Sequence, residues 1–108
     1  MLDTRLYVFA EINLKPEFYT QGKAAIEGII ERTLEEDGCD VFALTEGRED
    51  SGKLYLFEIF HDEAALAFHY EQPFVKSIFT SYQEWLAEPV KVTKMSAATP
   101  LTSMQFSS

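Results

Sequence analysis

Cysteine is nearly absent from this chain: Cys39 stands alone among 108 residues, which excludes an intrachain disulfide. Histidine is almost as rare, and His61 and His69 match no metal-ligand spacing, so no metal is expected. Basic residues are scarce, nine Lys and Arg against eighteen Asp and Glu, and the net charge of −9 repels phosphate backbones and anionic lipid. Neither nucleic acid nor a membrane is an expected partner. No apolar run approaches the roughly 20 residues that span a bilayer. Met1-Leu2-Asp3-Thr4-Arg5 lacks the pattern of a signal-peptide start, so a cytoplasmic location is expected. The five glycines form no phosphate loop or dinucleotide fingerprint, and no nucleophile elbow is present, so no cofactor is expected.

What is present is a globular balance, 46% apolar and 25% charged residues, in a length suited to one domain. A monomer of this size buries only about two-thirds of its unfolded surface, which leaves self-association as a source of stability. Leu6, Val8, Ala10 and Ile12 alternate with Tyr7, Phe9, Glu11 and Asn13 in a strand pattern. Pro16 suits a first helical turn. Phe18, Ala25, Ile26, Ile29, Ile30 and Leu34 then recur at helical spacing, predicting a helix from about Pro16 to Glu36 before the Asp37-Gly38 stop. Gly22 on its apolar stripe implies close packing or room for a ligand. Cys39 to Glu46 and Lys53 to Phe60 read as a hairpin around a polar loop. Asp62 caps a second helix through Tyr70, Pro73 starts another that runs to about Ala87, and Val90 to Lys94 is a closing strand.

Strand, helix, strand, strand, helix, strand is a ferredoxin-like βαββαβ plan, an α+β fold with an antiparallel sheet occupying residues 1–94. Helices on one side should leave the other sheet face polar. Instead Tyr7 and Phe9, and Tyr55, Phe57 and Ile59, are apolar there, and the chain has no segment left to cover them. A second copy packed sheet against sheet, a homodimer, is the expected cover. The tail, residues 95–108, carries Leu101, Met104 and Phe106 and either embraces that partner or stays disordered.

Candidate chemistry rests on titratable groups in apolar surroundings. Glu58 shares a strand face with Leu54, Leu56 and Phe60, where a carboxyl either sits at a pocket with a raised pKa or pairs with a cation structurally. His69 shares a helical face with Ala65 and Leu66. It is either a base facing a cleft, able to take a phenolic or enolic proton near neutral pH, or a helix-end residue donating to the last carbonyls. His61 is expected in solvent and Cys39 in the core. Most aromatic side chains are core, but those lining a cleft would favour a flat, weakly polar ligand such as a phenol or quinol.

Glu36-Asp37-Gly38-Cys39, the run Glu58-Ile59-Phe60-His61-Asp62-Glu63-Ala64-Ala65-Leu66-Ala67-Phe68-His69, and Pro73-Phe74 together resemble the antibiotic biosynthesis monooxygenase family. That family's pattern has an E-P-G-C-like turn, an E-x-W/F-x-D-x-x-A-hydrophobic-x-x-H stretch and an S/T-P-H/F segment, and the likeness runs from Leu6 to about Val92. The resemblance implies a dimeric α+β barrel with a pocket between sheet and helices. Members include cofactor-independent oxygenases of quinols and polycyclic phenols, haem degraders and a phosphorylated-autoinducer isomerase. Haem degraders carry Trp where Phe60 stands and a later-helix His near Ile78, which argues against haem; Phe74 stands where relatives often have a second His.

The resulting expectation is a cofactor-independent monooxygenase of a small quinol or phenol. His69 is its base, Glu58 orients His69 or a substrate hydroxyl, and Phe60, Tyr70 and Phe74 line the pocket. An isomerase or tautomerase using the same base without oxygen, and a non-catalytic small-ligand module, are the alternatives.

Overall fold

The computed structural model describes residues 3–49 and 52–99. Strand β1 (Leu6–Asn13) leads through a 3-10 turn (Pro16–Phe18) into α1 (Tyr19–Leu34). The hairpin β2 (Cys39–Glu46) and β3 (Lys53–Phe60) follows, then α2 (Glu63–Glu71), α3 (Pro73–Trp85) and β4 (Lys91–Met95). The four strands form one antiparallel sheet in the order β2-β3-β1-β4, the α+β ferredoxin-like topology expected from the sequence.

Several boundaries differ from the sequence reading: α1 proper starts at Tyr19 after the 3-10 turn at Pro16, α3 ends at Trp85 rather than near Ala87, and Met95, read as the start of the tail, belongs to β4. The first helix ends at Leu34 rather than Glu36, because the chain tightens there: Glu36 N donates to Thr33 O at 3.0 Å, and Glu36 enters the turn before β2. β4 begins at Lys91, opposite Glu11, rather than at Val90. The preceding chain is held away by Ala87 N on Asn13 O at 2.9 Å and by Asn13 Nδ2 on Glu88 at 3.0 Å. The tail residues Leu101, Met104 and Phe106 lie outside the described residues.

All three helices pack on one sheet face. Val8, Ala10, Ile12, Phe42, Leu54, Leu56 and Phe60 form the core there with Ile26, Ile29, Leu66, Val75 and Ile78. Register slips between Cys39 and Val41, so Cys39 and Phe42, an odd number of residues apart, both reach the core, and Asp40 turns outward. Gly22 serves close packing: a β-carbon there would come within 2.7 Å of a Leu14 methyl, and Leu14 is itself buried. On the opposite face Phe9 stacks on Tyr55 at 5.7 Å, and Phe57 and Met95 remain 38% and 40% exposed. No helix among the described residues is long and apolar enough to cross a membrane.

Candidate active site

Between the sheet and the helices lies a cavity of about 180 Å³. Its floor is Ala10, Ile12, Phe42, Leu56 and Glu58 of the sheet, its walls are Ile26 and Ile29 of α1, and His69 and Tyr70 of α2 face Val75, Ile78, Phe79 and Tyr82 of α3. Val90 and Val92 complete it, and the exposure of Val92 (46%) and Phe79 (45%) marks its mouth. Among the described residues Glu58 and His69 are the only acid and imidazole in this apolar lining, 4% and 3% exposed.

His69 is placed by local chain chemistry. Asp62 caps α2 by accepting from Ala65 N at 2.8 Å, and Gln72, extended before Pro73, ends it one turn after His69. The His69 carbonyl is held by Gln72 N at 3.1 Å, while the imidazole turns inward instead of bonding the last carbonyls. Its Nδ1 lies 3.0 Å from Glu36 Oε2, and both side chains are buried. A carboxylate can only accept, so Nδ1 is the ring nitrogen that donates to Glu36. Rings of Phe42, Phe60 and Tyr70 surround the imidazole at 5.2–5.8 Å between centroids. Gly38 admits this arrangement, since a β-carbon on it would overlap Ala65 of α2.

Glu58 pairs across the sheet with Val8 and Phe42. Its Oε1 is buried with no hydrogen-bond partner. Burial first, and the Glu36 charge second, push its carboxyl up to about 7. Among the described residues it is a pocket carboxyl without a cation partner, and no hydrogen bond joins it to His69. Burial also pushes the Tyr70 phenol up to about 12 and raises that of Tyr82, which keeps both as potential donors.

The remaining sequence candidates divide. Tyr70 lines the cavity. Phe60 does not: it is fully buried behind the imidazole, at the end of β3 where α2 covers it. Phe74 also stands elsewhere, because at the start of α3 it is Val75 and Ile78 that face inward; Phe74 borders an outer groove under the Arg32 guanidinium, 4.8 Å from its ring centre. His61 is exposed and pairs with Asp40 at 2.9 Å. Burial pushes the Cys39 thiol up to about 12, which suits a core residue and not a nucleophile. Glu36 went unrecognised as a site residue; its position in the turn motif before Cys39 was the available signal. Among the described residues no three His, Cys, Asp or Glu side chains gather as a metal site requires.

The chain is thus an α+β domain with an apolar cavity between one sheet face and its helices. The model of the family described as antibiotic biosynthesis monooxygenase matches residues 5–81, and the chain belongs to that family. It is 33% identical over 86 residues to "Putative monooxygenase Rv0793" of Mycobacterium tuberculosis, covering 80% of this chain and 84% of that protein. The structure of Rv0793 superposes with a TM-score of 0.84 at 28% identity over 91% of this chain and 99% of that one. A protein of Pseudomonas aeruginosa, PA3566, shares the fold with a TM-score of 0.85 at 22% identity, covering 92% and 99% of the two chains. The uncharacterized protein sll1783 of Synechocystis is 24% identical over 90 residues, and the alignment spans 83% of this chain but only 61% of that protein's length.

Proposed function

We propose that this chain is a cofactor-independent monooxygenase of a small quinol or phenol, acting in the cytoplasm as a homodimer. The observation that carries the reading is the buried His69–Glu36 pair at 3.0 Å in the lining of an apolar cavity. Family membership supports the reaction class.

The substrate hydroxyl gives its proton to His69 Nε2, and Glu36 offsets the imidazolium charge that results. The electron-rich phenolate left in a dry site passes one electron to O₂, and the radical pair joins as a ring carbon–oxygen bond. The O–O bond then breaks. One oxygen atom stays on the ring as a quinone carbonyl, and the other leaves as water with the hydroxyl proton and the ring hydrogen. The substrate supplies all four electrons, so no external reductant enters: hydroquinone plus O₂ gives hydroxybenzoquinone plus water. Glu58 orients a substrate oxygen, Tyr70 serves as wall, and Phe60 backs the imidazole.

The homodimer reading rests on the apolar sheet face bearing Phe9, Tyr55, Phe57 and Met95. Oxygen uptake with a panel of hydroquinones and hydroxynaphthalenes tests the function. His69→Ala should fold and bind but lose roughly 10²–10⁴-fold in turnover. Full activity in that variant would remove His69 as base. Turnover without oxygen uptake would instead favour an isomerase, and binding without turnover a ligand-holding module.

A further inference from the structure

Among the described residues the cavity lining contains no lysine or arginine, yet it contains Glu58, whose buried Oε1 lacks a hydrogen-bond partner among them. In an apolar site such an atom is costly unless a ligand satisfies it. A ligand carboxylate or phosphate would find no lysine or arginine among these residues and would meet Glu58, with Glu36 already paired to His69. Size is also restrictive: a dry apolar cavity of about 150 Å³ holds one benzene, so the 180 Å³ here holds one ring with small substituents.

We propose that the ligand is an uncharged single-ring phenol whose second oxygen accepts a hydrogen bond from the Glu58 carboxyl, while its hydroxyl faces His69. This deepens the monooxygenase reading by naming the substrate class, and excludes phosphorylated, carboxylated and three-ring compounds. Groups facing Glu58 agree with a neutral carboxyl that donates. Glu36 from the turn before β2 is acidic, Cys39 of β2 has its thiol proton held by burial, and so do Tyr70 of α2 and Tyr82 of α3; His69 is engaged by Glu36.

Binding without turnover tests this, by calorimetry under nitrogen with the full chain. The probes are 4-methoxyphenol, 4-ethylphenol, 4-hydroxybenzoate and 2-anthrol; the first two differ only by an oxygen in place of a methylene. At pH 6 the wild type should bind 4-methoxyphenol roughly 3–10-fold more tightly than 4-ethylphenol, the worth of one hydrogen bond. 4-Hydroxybenzoate should bind roughly 100-fold more weakly or worse, and 2-anthrol should not compete. The methoxy preference should vanish in Glu58→Leu and persist in Glu58→Gln, whose amide still donates. In the wild type it should fade between pH 6 and 8 while Glu58→Gln keeps it, since the phenols themselves ionise only near roughly 10.

Equal binding of 4-hydroxybenzoate, competition by 2-anthrol, an unchanged preference in Glu58→Leu, or no binding of 4-methoxyphenol would overturn the assignment. Should Glu58→Leu fail to fold, the pH contrast between wild type and Glu58→Gln decides. If these preferences hold but no hydroquinone drives oxygen uptake, the monooxygenase reading falls and this ligand class stands.

Discussion

His69 Nδ1 and Glu36 Oε2 meet at 3.0 Å inside the protein although 33 residues separate them in the chain. The turn before β2 and the last turn of α2 bring them together, and the bond fixes which imidazole nitrogen carries a proton. Replacing Glu36 with Gln lets the ring take either tautomer. Glu36→Gln should therefore keep the fold and KM while kcat falls by roughly 10–10³-fold, the direction seen when a histidine loses its orienting carboxylate. Steady-state kinetics beside circular dichroism check this; unchanged kcat would make the pair structural.

Glu58 gives a pH signature in stability. Its carboxyl is held at about 7 in the fold against an ordinary 4.5, so the folded state binds the proton more tightly than the unfolded chain. Stability should therefore fall as pH rises from about 4.5 through about 7, by on the order of 3 kcal/mol from this group, and level off above. Urea unfolding at pH 5 and pH 8 should show the decline in the wild type and a smaller one in Glu58→Gln. Parallel curves for the two proteins would place the carboxyl in contact with solvent or a cation.

Phe57 stands 38% exposed on the sheet face that no helix covers, beside the half-buried Tyr55 and Phe9. Light scattering at micromolar concentration should report a dimer for the wild type and a monomer for Phe57→Lys, with the fold retained, because a lysine at the centre of an apolar interface loses its hydration. A monomeric wild type would contradict the dimer.

The strands were legible because alternation and turn residues act locally: β2 and β3 have the bounds their sequence predicts, and Asp62 and Pro73 frame α2 as their chemistry requires. Glu58 and His69 were legible as titratable groups on apolar faces. Glu36 was not, because helical periodicity extended α1 through it, whereas the chain tightens after Leu34 and frees its carboxylate. Nor could spacing separate cavity wall from core: Phe60 shares a strand face with Glu58 yet lies behind the imidazole, and Phe74 precedes the residue of α3 that turns inward. These distinctions depend on how α2 and α3 are rotated against the sheet, which is set by packing among all three.

The most direct measurement is turnover of methylhydroquinone under ¹⁸O₂ by the wild type, with mass spectrometry of the product. The account predicts one ¹⁸O atom in each hydroxyquinone formed and one O₂ consumed per product, both abolished with His69→Ala. An isomerised or unlabelled product, or label incorporated equally by the variant, would contradict it.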